Sequence, residues 1–225
     1  MPDWPDTADD LVAFQEALAA QRADPWQPPE SPCVAGCFVC FPSDDPGPGG
    51  AGDAAWAAAA TPGETATAVG AALGEYRPGL LALRAGPVLA EAVRNLETRP
   101  DVLIVDATGR DHPRRAGLAV HLGAHLEMPT IGVTHRTLLA HGDWPPAERG
   151  AHAPIKLDGE TVGAWLRIQP RARPIAVHAG WRTDAQTAVT IVMSIASRVR
   201  TPEPLRAARR AARLARARAQ AKATF

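Results

Sequence analysis

The 225-residue chain has no excess charge of either sign, because its 24 Lys and Arg residues are balanced by 24 Asp and Glu residues. Overall electrostatics therefore do not single out a nucleic-acid-binding protein. The sequence also lacks a signal peptide and any apolar run of membrane-spanning length, which predicts a cytoplasmic protein without a membrane partner. No internal repeat is visible, and the length suits one domain with a substantial core.

Cysteine is scarce as well, and its three residues lie close together: Cys33, Cys37 and Cys40. The spacing of Cys37 and Cys40 is found in metal and redox sites, but no second pair or nearby histidine completes a zinc site. Alternation along a strand would place these two side chains on opposite faces. We therefore interpret them as small buried hydrophobic residues in a protein of a reducing compartment.

The most informative segment, residues 99–135, is predicted to form a strand, a loop, a helix and a second strand. Residues 102–105 are a short apolar run rich in β-branched side chains, typical of a strand buried on both faces. Asp106 ends this run, where the carboxyl end of a parallel strand would place it at the mouth of an open sheet. Pro113 suits the first turn of the helix and Pro129 ends it. A right-handed βαβ unit explains this order.

The remaining pattern predicts one sheet with flanking helices. Helices are predicted over residues 8–22, 86–96 and 205–222, and from a cap at Thr183 to about residue 197; strands are predicted over 33–41, 54–61, 64–72, 130–133, 160–168 and 173–178; residues 76–83 and 138–152 are predicted to be irregular. We divide the chain into an N-terminal helix with a proline-rich linker (1–32), a main domain (33–203) and a basic C-terminal helix or tail (204–225).

Several ordered motifs carry a family resemblance. They are Tyr76-Arg77-Pro78-Gly79-Leu80-Leu81, Arg84 with Gly86-Pro87, the strand end Val105-Asp106, His112-Pro113-Arg114-Arg115, Gly117, His121-Leu122-Gly123, Pro129-Thr130-Ile131-Gly132-Val133 and Pro202-Glu203-Pro204. Over about residues 33–208 the chain resembles endonuclease V, a family of nucleases that repair deaminated bases. The resemblance implies an α/β, RNase H-like fold, with a mixed central sheet and helices on both faces. It also implies a nucleic-acid partner, DNA or RNA, that is possibly deaminated.

The resemblance implies a catalytic site in which carboxylates hold a divalent metal, magnesium or manganese. One implied metal ligand is present as Asp106. The positions of an implied aspartate, glutamate and histidine hold Phe38, Ala85 and Trp181, and the implied lysine is His135, whose charge can titrate. We therefore predict that Asp106 and His135 are the remaining catalytic residues and that cleavage is lost or weak.

Other carboxylates could rebuild the metal site, which leaves an active nuclease with relocated ligands as an alternative. The candidates are Asp44, Asp45, Asp111 and Asp184. None of them occupies an implied ligand position, and each also suits a solvated loop or a helix cap.

The residues that the resemblance implies for nucleic-acid binding are better preserved. Tyr76 and Pro78 match an aromatic wedge that inserts where an altered base flips out. The other implied contacts are Gly79, Leu81, His112, Arg114, Arg115, Gly117 and Leu118, the two arginines being candidates for phosphate contacts. Alternatively, Tyr76 could simply pack on Pro78, and His112 could cap the next helix. An implied glycine after Asp106 is Ala107, whose methyl group could crowd a base.

The C-terminal helix carries a run of basic side chains: Arg206, Arg209, Arg210, Arg213, Arg216, Arg218 and Lys222. Such a run favours phosphate, but it is also found in solvated tails. Three hypotheses therefore stand: a degenerate endonuclease V that binds nucleic acid without cutting it, a nuclease with relocated ligands, and a protein-interaction module. We favour the first.

Overall fold

The computed structural model describes residues 4–21, 23–42 and 49–223, with only the backbone at position 223. The elements in chain order are α1 (Ala8–Ala20), β1 (Val34–Cys40), β2 (Ala54–Ala60), β3 (Thr65–Ala71), α2 (Leu81–Arg94), β4 (Val102–Val105), α3 (Leu118–Leu126), β5 (Thr130–Thr134), β6 (His152–Leu157), β7 (Glu160–Leu166), β8 (Ile175–Ala179), α4 (Ala185–Ser194) and α5 (Glu203–Ala223). None of the helices in these ranges is both long and apolar enough to span a membrane.

All eight strands form one sheet in the order β3-β2-β1-β4-β5-β8-β7-β6. The central strands β1, β4 and β5 are parallel, while the outer strands pair antiparallel, so the sheet is mixed. Helices α1, α2 and α3 cover one face, and α4 and α5 cover the other. The predicted mixed sheet with helices on both faces is confirmed. The four residues of β4 are fully buried because helices cover both of their faces.

Two predicted helix starts were wrong, and one strand was missed. Helix α3 begins at Leu118 rather than near Pro113, because a hydrogen-bonded turn precedes it and Gly117 is its N-cap. Helix α2 begins at Leu81 rather than Gly86, so part of the predicted loop is helical. Strand β6 was not predicted. It is the edge strand next to β7, and its pairing is irregular at Ile155 and Lys156.

The N-caps of α1 and α4 are polar side chains that accept hydrogen bonds from the first helical turn. Thr7 caps α1, since its hydroxyl accepts a hydrogen bond from the N–H of Asp10. The cap of α4 is Asp184 rather than the predicted Thr183, because the Asp184 carboxylate accepts from the N–H of Thr187. The Thr183 hydroxyl instead donates to the carbonyl of Thr130.

The cysteines lie as the strand alternation predicted. Cys37 packs in the hydrophobic cluster beneath α1–α3, whereas Cys40 packs in the cluster beneath α5. All three cysteines are free thiols. Burial, with a smaller contribution from Asp106, raises the pKa of Cys37 far above its usual range. Its thiol is therefore an inert core side chain rather than a redox or metal-binding group.

Helix α5 lies along β1 and β2, and the boundary predicted at residue 204 falls within its first turn. Ala208 and Ala212 are fully buried against the sheet, where they pack with Trp56 and its neighbours. The close approach depends on Gly36, because a Cβ atom there would lie 2.5 Å from the backbone of Pro204 and Leu205. The absent side chain thus lets the start of α5 rest directly on β1.

Gly36→Ala is expected to destabilise the protein by about 1–3 kcal/mol, since the added methyl group must displace backbone rather than a flexible side chain. Urea unfolding followed by circular dichroism measures the change. Gly63→Ala is the matched control, because a Cβ atom at Gly63 meets nothing within 4 Å. Equal stability of the two variants would contradict the proposed role of Gly36.

Candidate functional site

Asp106 stands at the carboxyl end of β4, at the predicted mouth of the sheet. The parallel register pairs Cys37 with Val105, so Phe38 and Asp106 are the next neighbours. The Asp106 carboxylate accepts hydrogen bonds from Nη2 and Nε of Arg209 on α5, at 2.8 and 3.2 Å. The two side chains are only 22% and 23% exposed, so solvent screens this ion pair only in part.

Phe38 completes this group on the α5 side of the sheet. The guanidinium carbon of Arg209 lies 5.5 Å from the centre of the Phe38 ring, and that of Arg213 lies 5.7 Å from it. Both distances suit cation–π attraction. The carboxylate of Asp106 therefore has an arginine and a phenyl ring as its neighbours.

His135 follows β5 and lies near the same group. Its Nε2 is 3.4 Å from the hydroxyl of Thr201. Burial lowers the pKa of His135, and repulsion from Arg200 and Arg209 lowers it further, while Asp106 opposes the shift. The structure thus brings Asp106, His135 and Phe38 to one place, together with Arg209, which the sequence indicated only as one of the basic residues of the C-terminal helix.

Within the described ranges, no three His, Cys, Asp or Glu side chains come together as metal ligands would. Of the alternative carboxylates, Asp184 is the cap of α4, and Asp44 and Asp45 lie outside the described residues. Magnesium prefers several oxygen ligands, and among the described residues Asp106, the carboxylate at the sheet mouth, is already paired with a guanidinium. The described residues therefore do not fit a divalent metal at Asp106.

Asp111 has a different role from metal binding. Its fully buried carboxylate accepts hydrogen bonds from the backbone N–H groups of Leu138, Leu139 and Ala140, at 2.7, 2.8 and 2.8 Å. Three such bonds hold the chain after β5 in a fixed position. Leu138 in turn forms one side of a nearby pocket.

That pocket has a volume of about 220 Å³ and adjoins the sheet mouth. Its walls come from segments far apart in the sequence: Gln15, residues 76–79, Leu81, Ala82, Ala107, Thr108, His112, Leu118, Thr134 and Leu138. Six of the predicted nucleic-acid contacts thus meet in one pocket, namely Tyr76, Pro78, Gly79, Leu81, His112 and Leu118. Gly117 stands behind it, where a Cβ atom would lie 2.6 Å from the carbonyl oxygen of Thr108.

The loop carrying Gly79 is held by three hydrogen bonds to one carbonyl oxygen. The Gly79 carbonyl accepts from Nε2 of His112 at 3.1 Å, from Nη2 of Arg114 at 2.8 Å and from Nε2 of Gln15 at 3.2 Å. Nε of Arg114 also donates to Oε1 of Gln15, at 2.7 Å. Gln15 is buried on α1, on the same helix face as Leu11 and Leu18, a position that sequence reasoning missed.

His112 lies in the pocket wall with both ring nitrogens engaged. Its Nδ1 accepts from the backbone N–H of Arg114, so Nε2 carries the proton that it donates to Gly79. Burial, followed by repulsion from Arg114, lowers the pKa of His112 to about 4. The ring is therefore neutral near pH 7 and acts as a rigid support. Tyr76, in contrast, is 47% exposed at the mouth of the pocket.

The two arginines predicted to contact phosphate have intramolecular partners. Arg114 takes part in the Gln15 and Gly79 network. Arg115 donates to the carbonyl of Leu157 and to the carboxylate of Asp158. Their phosphate contacts stay predictions, and the bonds of the folded chain already use much of their donor capacity.

Two residues at implied catalytic positions do not join Asp106. Ala85 is fully buried in the cluster beneath α1–α3, whereas Asp106 faces α5. The backbone N–H of Trp181 donates to the hydroxyl of Thr130, the first residue of β5. Asp106 follows the last residue of β4, which is parallel to β5. Trp181 therefore lies at the amino end of these strands and Asp106 at their carboxyl end.

Comparison with known proteins agrees with this architecture. The family model described as Endonuclease V matches residues 16–210. An endonuclease V of Nocardia farcinica is 40% identical over 221 residues, covering 94% of this chain and 93% of that protein. The chain belongs to the endonuclease V family. The alignment with the endonuclease V of Roseiflexus sp. covers less, with 43% identity over 133 residues that make up 60% of that protein.

Solved endonuclease V structures share the fold. The Streptomyces avermitilis protein is 32% identical with a TM-score of 0.83, covering 100% of this chain and 98% of that one. Ciona intestinalis endonuclease V, crystallised with a 24mer DNA containing an inosine followed by a ribo-adenosine, is 20% identical with a TM-score of 0.74, covering 93% of this chain and 98% of that one. The RNase H-like fold implied by the sequence resemblance is thereby confirmed.

Proposed function

We propose that this chain is a nucleic-acid-binding member of the endonuclease V family that receives an altered base, such as the hypoxanthine of inosine, without cleaving the strand. The proposal depends on two features seen together: a formed pocket and a carboxylate that is already paired. The pocket behind Tyr76 is assembled, whereas Asp106 is paired with Arg209. The first feature supports binding and the second argues against metal-assisted hydrolysis.

Binding of an altered base is inferred from the pocket, whose walls are fixed by hydrogen bonds. Three donors fix Gly79, and Asp111 fixes the chain at Leu138, so opposite walls are held without a ligand. Tyr76 is exposed at the entrance, where its ring can stack on a base or fill the gap that a flipped base leaves. The inosine-containing DNA bound by the Ciona relative gives the class of ligand.

The absence of cleavage is inferred from the charges at the sheet mouth. The family uses a divalent metal to activate water and to neutralise charge on the phosphate. At the sheet mouth of this chain, Phe38 offers no oxygen ligand and Arg209 already neutralises Asp106. A metal ion would have to displace the guanidinium and would gain one carboxylate from the described residues, which argues against metal-dependent cleavage by this protein.

The decisive experiment incubates the protein with an end-labelled oligonucleotide containing deoxyinosine and with Mn²⁺, beside an Asp106→Asn control. We expect no cleavage product on a denaturing gel and a mobility shift of the same probe on a native gel. A product that disappears in the control would contradict the proposal and favour relocated metal ligands. Neither product nor shift would favour the protein-interaction module.

Tyr76→Ala is expected to weaken binding of a deoxyinosine-containing single strand about tenfold, because stacking of a base on an aromatic ring contributes roughly 1–3 kcal/mol. Fluorescence anisotropy with a labelled oligonucleotide measures the dissociation constant. Trp144→Ala is the matched control, since Trp144 is 55% exposed but packs against Trp165 away from the pocket. Equal losses in both variants would remove Tyr76 from the binding surface.

A further inference from the structure

We propose that Arg209 and Arg213 of α5 form a metal-free phosphate site beside Asp106, where they hold the backbone of the nucleic acid whose base enters the neighbouring pocket. This inference rests on the proposed function. In this site, guanidinium groups of the chain supply the positive charge that a metal would otherwise provide. The ligand class is a phosphodiester.

Arg209 is the inner of the two groups. It binds one carboxylate oxygen of Asp106 through Nε and Nη2, so the ion pair fixes the orientation of its planar fork. The bonds to Asp106 leave the Nη1 side of the guanidinium without a hydrogen-bond partner among the described residues. Because the side chain is 23% exposed, that side can meet a ligand from solvent.

Arg213 is the outer group and is not neutralised. It is one helical turn beyond Arg209, so both side chains lie on the same face of α5. Its guanidinium rests over the Phe38 ring and has no ion pair or hydrogen bond within the described part of the chain. Phe38 therefore keeps an exposed cation in place while offering no competing acceptor.

The charge around this place is positive. Asp106 is the carboxylate that pairs with Arg209, and Arg200 and Arg209 both lie close enough to His135 to lower its pKa. With Arg213 added, guanidinium groups outnumber carboxylates at the sheet mouth among the residues that the structure describes. Guanidinium donors match the geometry of phosphate oxygens, and charge-assisted bonds of this kind are strong.

The position suits a nucleotide next to the one in the pocket. Ala107 and Thr108 directly follow Asp106, and both line the pocket. The pocket lies on the α1–α3 side of this strand end and the two arginines lie on the α5 side, so a nucleic-acid strand that passes over the carboxyl end of β4 would reach both. One strand could then place a base in the pocket and its backbone against α5.

The test measures binding of a deoxyinosine-containing single strand by fluorescence anisotropy, in EDTA and in Mg²⁺, over a series of salt concentrations. Arg213→Gln is expected to weaken binding about tenfold and to lower the slope of log affinity against log salt by about 1. Arg209→Gln is expected to weaken it as well, with a melting temperature measured alongside to verify folding. Affinity for the wild-type protein is expected to be equal in EDTA and Mg²⁺.

Arg94→Gln on α2 is the matched control, because this exposed arginine lies at the far end of a helix on the other face of the sheet. It is expected to bind like the wild-type protein. If Arg213→Gln behaves like Arg94→Gln, or if EDTA abolishes binding, the phosphate site is wrong while the proposed function survives. If the wild-type protein does not bind the probe, both proposals fail.

Discussion

A variant that combines Phe38→Asp with Arg209→Gln is expected to bind Mn²⁺ saturably, whereas the wild-type protein is expected to show no saturable binding. Phe38 is the register neighbour of Asp106, so the first change places two carboxylates side by side. The second change removes the guanidinium that pairs with Asp106. The two carboxylates supply the charge and the oxygen ligands that a hard cation needs, and the remaining neighbour Arg213 is exposed, so solvent screens its competition with the metal. Isothermal titration calorimetry measures the binding.

The single variants show separately the effect of the missing second carboxylate and the effect of the Arg209 guanidinium. Phe38→Asp alone is expected to bind little metal, because Arg209 lies close enough to bridge both carboxylates. Arg209→Gln alone leaves one carboxylate and is expected to bind weakly or not at all. Saturable Mn²⁺ binding by the wild-type protein that Asp106→Asn removes would overturn our account of the sheet mouth. Circular dichroism of each variant verifies that the fold is kept.

The central βαβ unit could be predicted from the sequence because its signals are local. A short β-branched run ending in Asp106 specifies a buried strand, and Pro129 marks the start of the next one. Six of the residues that the family resemblance implied for nucleic-acid binding line the pocket, but their meeting at one place followed from the resemblance and not from the residue pattern. Strand β6 lacked such a signal because an irregular edge strand needs little apolar alternation.

The pairing of Asp106 with Arg209 could not be predicted from the sequence, because the two residues are 103 positions apart. The basic run of α5 gave only a choice between a phosphate-binding helix and a solvated tail. Its alanines decide the docking, since they bury one face against β1 and β2 and thereby aim Arg209 at the sheet mouth. The contact between Gln15 and Arg114, 99 positions apart, is hidden from sequence patterns for the same reason.

The protein is also expected to lose stability as the pH falls from about 6.5 to about 4. Burial lowers the pKa of His121 to about 3 and that of His112 to about 4. In the unfolded chain both histidines titrate near 6.5, so below that pH the unfolded state binds more protons than the folded state. Stability therefore falls with pH through this window, by about 2 kcal/mol for each histidine at pH 5. Urea unfolding at pH 7.5 and pH 5 measures the loss.

His121→Phe is expected to remove about 2 kcal/mol of that pH dependence and to raise stability at pH 7.5 by about 1 kcal/mol. The His121 ring is fully buried, and neither of its nitrogens has a hydrogen-bond partner among the described residues. It stacks on Trp4 at 4.8 Å and contacts Phe14 at 4.8 Å, contacts that a phenyl ring can keep. His152→Gln is the control, since it removes an exposed histidine rather than a buried one. Equal losses between pH 7.5 and pH 5 in wild type and His121→Phe would show that His121 is not a source of the acid sensitivity.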